Sequence, residues 1–180
     1  IAAARKSARL ANQLLSLERL RYDETSTFDR LELNAVAAEV CSDFAPTVLS
    51  RDIGFGFEPC SEPLPINGDN VLLGEAITNL LENALSHGGP GLSAIRVSTV
   101  AEAGYAVLTV QDDGIGIPKD STQAAFQRFG QLSEGEGSGL GLAIVQDVLR
   151  RHGGDVELLP QERGLIVRLK VPLVSPVAKP

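Results

Sequence analysis

The stretch Asp69-Asn-Val-Leu-Leu-Gly-Glu-Ala-Ile-Thr-Asn-Leu-Leu-Glu-Asn-Ala-Leu-Ser-His-Gly-Gly-Pro-Gly91 decides the fold. Leu73, Ile77, Leu80, Leu81, Ala84 and Leu85 recur at spacings that line one side of a helix, giving it a buried stripe. Asp69 stands where an N-cap belongs, and Gly88-Gly-Pro-Gly91 stops the helix. Its polar residues carry more information than its apolar ones. Glu75, Asn79 and Asn83 stand four apart, so they stack on one face about a turn above one another.

Downstream of this helix, Ile95, Val97 and Thr99, then Val107, Thr109 and Gln111, alternate as two strands, with Glu102-Ala-Gly104 as their hairpin turn. Asp112 to Pro118 is a Gly-rich loop at a strand end. Lys119 to Glu136 is polar apart from Phe126 and Phe129, and reads as a lid with one short helical turn anchored by its aromatics. After Gly137-Ser-Gly139 a helix runs through Leu140, Ile144, Val145 and Val148 to His152, closed by Gly153-Gly154. Asp155 to Leu159 and Leu165 to Pro172 form the last two strands, and the tail from Val174 is expected to be loose.

Upstream, Ile53 to Phe57 is a short strand and Leu64 to Ile66 a weak one. Asn34 is the expected cap of a helix through Val36, Ala37, Val40, Phe44 and Val48 that Pro46 bends or ends. Phe28 to Leu33 reads as extended, and Asp23 to Asp29 as a linker or hinge. Between Arg5 and Tyr22 there is no Gly or Pro. Ala3, Ser7, Leu10, Leu14 and Leu17 alternate at spacings of four and three, either the seam of a helix against a parallel partner or an amphipathic helix on its own domain.

The 180 residues carry 16 Lys and Arg against 23 Asp and Glu, a net charge of −7, which disfavours a general binder of nucleic acid. A hydrophobic fraction of 43% and a charged fraction of 22% exclude wholesale disorder, collagen-like and coiled-coil-only classes. No stretch approaches the ~18 apolar residues of a membrane-spanning helix, so the chain as given reads as soluble. Cys41 and Cys60 form neither a CxxC pair nor a ligand cluster with His87 and His152, and are expected to be structural thiols of a reducing compartment. The start at Ile1, inside a helical pattern, reads as a fragment of a longer protein.

Four local patterns carry chemistry. In Asn79-Leu-Leu-Glu-Asn83 the amides cannot act as bases, but an amide oxygen is a neutral hard ligand for Mg²⁺ and an amide NH₂ can reach a phosphate. In Asp112-Asp-Gly-Ile-Gly-Ile-Pro118 a carboxylate at a strand end, beside glycines that admit a ligand, can accept from an exocyclic amino group. That selects adenine over guanine, whose O6 would leave an acceptor facing an acceptor. In Phe126-Gln-Arg-Phe129 the aromatics can pin the lid and bring Arg128 towards phosphate. Gly137-Ser-Gly-Leu-Gly-Leu142 opens a helix whose backbone N–H groups and dipole suit a polyphosphate. It lacks the Gly-Lys-Ser/Thr of a P-loop and the glycine spacing of the dinucleotide fingerprint. Singly, each of the first three patterns is matched by a structural explanation: surface amides, an ordinary Asp/Gly turn, a small core patch.

Together they resemble the N, G1, F and G2 boxes of the GHKL superfamily, specifically the catalytic ATP-binding domain of bacterial sensor histidine kinases. The resemblance covers about Phe28 to Pro172 and extends to His152-Gly-Gly and Leu169-Lys-Val-Pro172. It implies a two-layer α/β sandwich of the Bergerat type, a mixed sheet of about five strands with helices on one face. Arg9-Leu-Ala-Asn-Gln-Leu-Leu-Ser-Leu17 is similar to the second helix of the dimerisation and phosphoacceptor domain. Residues 1–27 would then be a partial dimerisation helix and linker, 28–173 the ATP-binding kinase domain, and 174–180 a loose tail.

By resemblance, Asn83 ligates the Mg²⁺ that bridges the ATP phosphates and Asn79 contacts phosphate. Asp112 holds the adenine amino group, Gly114 and Gly116 shape its pocket, and Gly137, Gly139, Leu140 and Gly141 present backbone to the phosphates. The reaction implied is transfer of the ATP γ-phosphoryl to a histidine and then to an aspartate of a response-regulator receiver domain. It implies a homodimer in the full-length protein, on the cytoplasmic side of an inner-membrane sensor. An amide at 79, where the superfamily's ATPases carry a glutamate, disfavours hydrolysis; Glu82, one residue from Asn83, points about 100° away from it around the helix.

Two departures stand out. Ser86-His87 replaces a basic residue followed by an aromatic, leaving His87 as a possible nucleotide contact. The phosphoacceptor histidine belongs on a helix that precedes this chain, so no self-phosphorylation is expected from it. The alternatives are a degenerate nucleotide-binding scaffold and a serine kinase of the anti-sigma type.

Overall fold

The computed structural model describes residues 28–118, 122, 124–126 and 140–174. The seam Leu10 to Leu17, Arg128, Phe129, Gly137, Gly139 and the tail after Val174 lie outside the described residues. The described elements are β1 (Asp29–Glu32), α1 (Leu33–Leu49), β2 (Gly54–Glu58), β3 (Pro65–Gly68), α2 (Asn70–His87), β4 (Ala94–Glu102), β5 (Tyr105–Asp112), a 3₁₀ turn (Ala124–Phe126), α3 (Gly141–Arg151), β6 (Asp155–Pro160) and β7 (Leu165–Pro172).

Five strands form one mixed sheet in the order β2-β4-β5-β7-β6, with β2 parallel to β4 and the other pairs antiparallel. Ile95, Val97 and Thr99 of β4, the set that alternates in the sequence, lie on the face covered by helices with Leu108, Val110, Val167 and Leu169, all buried. Val107, Thr109 and Gln111, the set read in β5, lie on the opposite face, because the antiparallel register brings Leu108 and Val110 beside Thr99 and Val97. The other face carries Ser98, Thr109, Arg168, Glu157 and Lys170, where Arg168 pairs with Glu102 and Glu157, and Lys170 with Glu157. One face is therefore core and one is solvated, as expected of a largely antiparallel sheet. The β4–β5 turn is made by Ala103 and Gly104, both at positive φ (50° and 84°), the backbone that a two-residue hairpin requires.

The helices close the core with Leu72, Leu73, Ile77, Leu80 and Leu81 of α2 and Ile144, Val145, Val148 and Leu149 of α3. Asp69 caps α2 as expected, its carboxylate accepting from the N–H groups of Val71 and Leu72 at 2.9 and 3.0 Å. The cap of α1 differs from the expectation. Glu32, not Asn34, takes the N–H groups of Asn34 and Ala35, because β1 runs straight into the helix and leaves Asn34 already inside it. The Asn34 amide instead donates to the carbonyls of Cys60 and Glu62 and accepts from Thr99.

β3 also departs from the simple reading of a strand returning beside β2. It pairs antiparallel with β1 as a separate two-stranded sheet. Pro46 lies inside α1, three residues from its end. Cys41 and Cys60 are free thiols, and burial pushes the Cys41 thiol up to about 11. Among the described residues no helix is long and apolar enough to cross a membrane.

Candidate nucleotide-binding site

α2 and α3 run antiparallel: Gly141, which opens α3, faces Asn83 and Asn79, while His152, which ends it, meets Asp69 at the start of α2. A Cβ on Gly141 would lie 3.1 Å from Asn83 Oδ1, 3.2 Å from Asn83 Nδ2 and 3.5 Å from Asn79 Oδ1, so glycine lets the helix start close over both amides. Asn79 is buried. Its Nδ2 donates to the Glu75 carbonyl at 2.9 Å, which turns its oxygen towards the start of α3. One turn earlier, Glu75 Oε2 is buried and accepts no hydrogen bond. A buried acceptor without a donor is uncommon and costly, so this end of the helix pair holds unused acceptor capacity.

The N-terminus of α3 differs chemically from those of α1 and α2. Leu140 occupies its N-cap and supplies no side-chain acceptor, and no acidic residue lies in its first turn. The side-chain cap is the difference, since α1 and α2 likewise have no acidic residue in their first turns; the partial positive charge of this end suits an anion.

Asp112 ends β5 in register with Ile95 and Leu165, on the covered face of the sheet. Only 8% of it is exposed, and its Oδ1 accepts from the Gly114 N–H at 2.9 Å. Burial pushes its carboxyl above the usual range, backbone N–H groups of Gly114 and Leu165 pull it back, and the charge of Asp113 raises it again. Among the described residues no cation stands beside it. It is a buried, desolvated acceptor of the kind that gains most from a neutral N–H donor.

Its neighbour Asp113 points the other way. Its carboxylate accepts from the Ser93 hydroxyl, the Ser93 N–H at 2.8 Å and the Ala94 N–H at 3.0 Å, and these bonds, led by the hydroxyl, pull it down to about 2. Asp113 thus ties the loop to the start of β4.

The loop between them is clamped. A Cβ on Gly114 would overlap the backbone of Gly88, and one on Gly116, at φ 67°, would come within 2.5 Å of the Gly164 carbonyl. Arg163, beside Gly164, donates from Nε to the Asp113 carbonyl and from Nη2 to the Gly91 carbonyl, each at 2.9 Å. Sequence spacing did not expose Asp113, Ser93, Arg163 and Gly164 as supports of this loop, because Arg163 and Gly164 reach it only through the β6–β7 turn. A glycine after polar residues in that turn was the one local signal.

Of the expected residues, Asn79, Asn83, Leu140 and Gly141 meet at the α2–α3 junction. Asp112, Gly114 and Gly116 line the adjacent loop, which Gly88 joins to the end of α2 through a hydrogen bond from the Ile115 N–H at 2.9 Å. His87 is the exposed last residue of α2. Phe126 is half-buried in the 3₁₀ turn against the core. Among the described residues no group of three or more His, Cys, Asp or Glu could hold a metal ion, so any cation here depends on amide oxygens and on what the ligand brings.

Residues 68–175 match the family described as histidine kinase-, DNA gyrase B- and HSP90-like ATPase. The sensor protein kinase PmrB of Pseudomonas aeruginosa is 33% identical over 175 residues, 94% of this chain and 36% of its own length, so the chain spans about a third of that relative. The catalytic domain of the histidine kinase ThkA, in a nucleotide-free form, superposes with a TM-score of 0.72 at 25% identity over 82% of this chain and 99% of that one. ThkA in complex with the response regulator protein TrrA shares the fold, with a TM-score of 0.76 at 22% identity over 95% of this chain and 49% of that one. With the amide-bearing helix, the buried strand-end carboxylate and the open helix start in place, the chain belongs to the histidine kinase-, DNA gyrase B- and HSP90-like ATPase family, as one of its sensor histidine kinase ATP-binding catalytic domains.

Proposed function

We propose that the chain binds Mg²⁺-ATP between the C-terminal half of α2, the Asp112–Pro118 loop and the start of α3, and presents the γ-phosphoryl to a histidine on a separate helix. The observation that carries this reading is Asp112, a buried carboxylate on the covered face with backbone N–H partners and, among the described residues, no cation. It accepts the adenine amino group. Gly114, Gly116 and the clamp of Gly88 and Gly164 keep its pocket narrow enough for a planar base.

The polyphosphate lies at the start of α3, where Leu140 and Gly141 present backbone and Gly137 and Gly139 precede them in sequence. Asn79 and Asn83 hold it from below, with Asn83 as the metal ligand. The residues present fit Mg²⁺: amide oxygens facing the start of α3 suit a hard ion that keeps several waters and binds through few protein oxygens. When bound, Mg²⁺ neutralises charge on the phosphates. His87 and Arg128 are further candidate contacts at the rim.

In the transfer step the bond between the γ-phosphorus and its bridging oxygen breaks, a bond to a histidine nitrogen forms, and ADP departs. The residues of this chain act by positioning and charge compensation. Asn79 orients phosphate and cannot deprotonate water, which favours transfer over hydrolysis. The acceptor histidine lies on a dimer helix outside this chain, and the phosphoryl passes next to a response-regulator aspartate. The fold shared with ThkA bound to TrrA supports that partner class. Residues 1–27 would join this domain, 28–173, to the dimer helices of a homodimeric sensor, on the cytoplasmic side of its membrane; residues 174–180 are a tail.

Calorimetric titration with ATP and GTP, each with and without Mg²⁺, tests the reading. ATP-selective binding strengthened by Mg²⁺ is expected; equal affinity for GTP, or no binding by the folded chain, overturns it.

A further inference from the structure

His152 takes no part in the site described above, yet it is one of the few buried polar residues of the domain, 5% exposed. Its Nδ1 lies 2.7 Å from the Val148 carbonyl, one turn back in α3, and its Nε2 lies 3.0 Å from the backbone nitrogen of Asp69, the N-cap of α2. A carbonyl only accepts and an N–H only donates, so the ring is the neutral tautomer that donates from Nδ1 and accepts at Nε2. The Phe28 ring stacks on it at 4.6 Å between centroids and 12° between planes. Beneath it, a Cβ on Gly68 would come within 2.7 Å of Cδ2, so the ring fills the space over the β3–α2 junction.

One side chain thus joins the end of α3, the start of α2 and the residue at which the chain enters the domain from residues 1–27. α3 is 11 residues long, so roughly 16 Å of rigid helix separates this joint from the Gly141 end. Sliding or tilting α3 along α2 at one end moves Gly141 against Asn79 and Asn83 at the other.

We propose that His152 is a positioning residue of the nucleotide site: by bonding Asp69 and Val148 it sets the placement of α3 along α2, and by stacking on Phe28 it makes that placement answer to the segment entering the domain. The proposal deepens the ATP-site reading and rests on it for its consequence. Burial holds the ring neutral; of the charged groups around it, the Asp69 carboxylate favours the imidazolium and Arg151 opposes it. A protonated Nε2 would face the Asp69 N–H donor to donor. The joint is therefore complete above the ordinary histidine value of 6.5 and is disfavoured as pH falls below it.

Two near-isosteric variants separate the bonds. His152→Gln keeps an acceptor for the Asp69 N–H and loses the bond within α3. His152→Asn keeps a donor for Val148 and loses the bond between helices. In the full chain, at a temperature where circular dichroism shows all variants folded, ATP affinity should fall about tenfold in His152→Asn, the size of one lost hydrogen bond. In His152→Gln it should stay within about twofold, and the acid-induced loss of affinity specific to the wild type should vanish. Phe28→Ala should lower affinity several-fold, about the size of one stacking contact.

Nitrogen-15 NMR of the nucleotide-free chain reports the same coupling directly: His152→Asn and Phe28→Ala should shift the Gly141 amide and the Asn83 side-chain signals, and His152→Gln should not. Unmoved Gly141 and Asn83 signals in His152→Asn, or equal losses of affinity in the Gln and Asn variants, would overturn the proposal. A wild-type chain that binds no ATP would instead sink the site reading, since the NMR shifts report the joint without nucleotide.

Discussion

The two ends of the α2–α3 pair are built from similar materials and do opposite things. At the Asp69 end the polar groups answer one another: the Asp69 carboxylate caps α2, its N–H is taken by His152, and the other ring nitrogen meets Val148. At the Gly141 end, the helix start has no side-chain cap, two amides face it, and the nearby Asp112 sits buried with no cation beside it among the described residues. A closed end contributes to stability. Groups of the same kinds left desolvated without such partners cost stability, which a ligand that pairs with them would restore.

The sharpest test of that contrast is Asp112→Asn. An amide keeps one acceptor and turns a donor towards the Gly114 and Leu165 N–H groups or the base, so ATP affinity should drop on the order of 10- to 100-fold, the cost of losing a charged hydrogen bond in a buried site. Thermal melting should show little or no loss of stability, because a desolvated carboxylate has gone; a large drop in melting temperature with intact affinity would make Asp112 a structural residue. Next is Gly141→Ala. The added methyl presses on Asn83 and Asn79 while alanine favours the helix, so affinity should fall, about tenfold if one phosphate hydrogen bond is lost, as melting temperature holds or rises.

At the closed end, Asp69→Ala should lower stability by about 1 kcal/mol, the usual value of an N-cap, and disturb ATP affinity less than Gly141→Ala does. Denaturant titration and calorimetry on the same samples check both halves. If capping and binding respond equally at the two ends, the distinction between them fails.

The smallest effects are pH-dependent and divide the adjacent aspartates. Asp112, whose carboxyl is raised by burial, must be ionised to accept the base, so ATP affinity should fall on acidification at a pH above the ordinary carboxylate range. Asp113 is held at about 2 against an ordinary value of 3.8, so its bonds to Ser93 and Ala94 contribute fully above 3.8 and are lost as pH falls through about 2. Asp113→Asn should leave the pH profile of ATP binding unchanged and flatten only the acid limb of stability. A shifted binding profile in that variant would mean the roles of the two carboxylates are exchanged.

Much of this was legible locally. Asp69 and Gly88 bound α2 because a capping carboxylate and a terminal glycine act within one turn. The alternation in β4 showed which of its side chains face the core, since the strand period needs no partner to be read; in β5 it gave the strand but not its inner face, which the pairing with β4 sets. The stacking of Glu75, Asn79 and Asn83 followed from helix geometry alone. Other features depended on distant contacts. Asn34 has the composition of a cap, but β1 ends at Glu32 and transfers the role there, freeing Asn34 to bind Cys60, Glu62 and Thr99. β3 chose β1 over β2, a pairing that no local pattern distinguishes.

The sequence by itself determined the order of helices and strands, the amphipathic faces, and the presence of two amides, a strand-end carboxylate and a glycine-opened helix. These rest on periodicities of one or two turns and on the intrinsic chemistry of each residue type. Only the tertiary structure decided which of two neighbouring aspartates is buried, what clamps the loop between Gly88 and Gly164, and that His152 meets Asp69 at the start of α2, Val148 in α3 and the Phe28 ring. Each of those depends on residues tens of positions apart meeting at hydrogen-bond distance, and that meeting is set by packing the whole sheet and its helices at once.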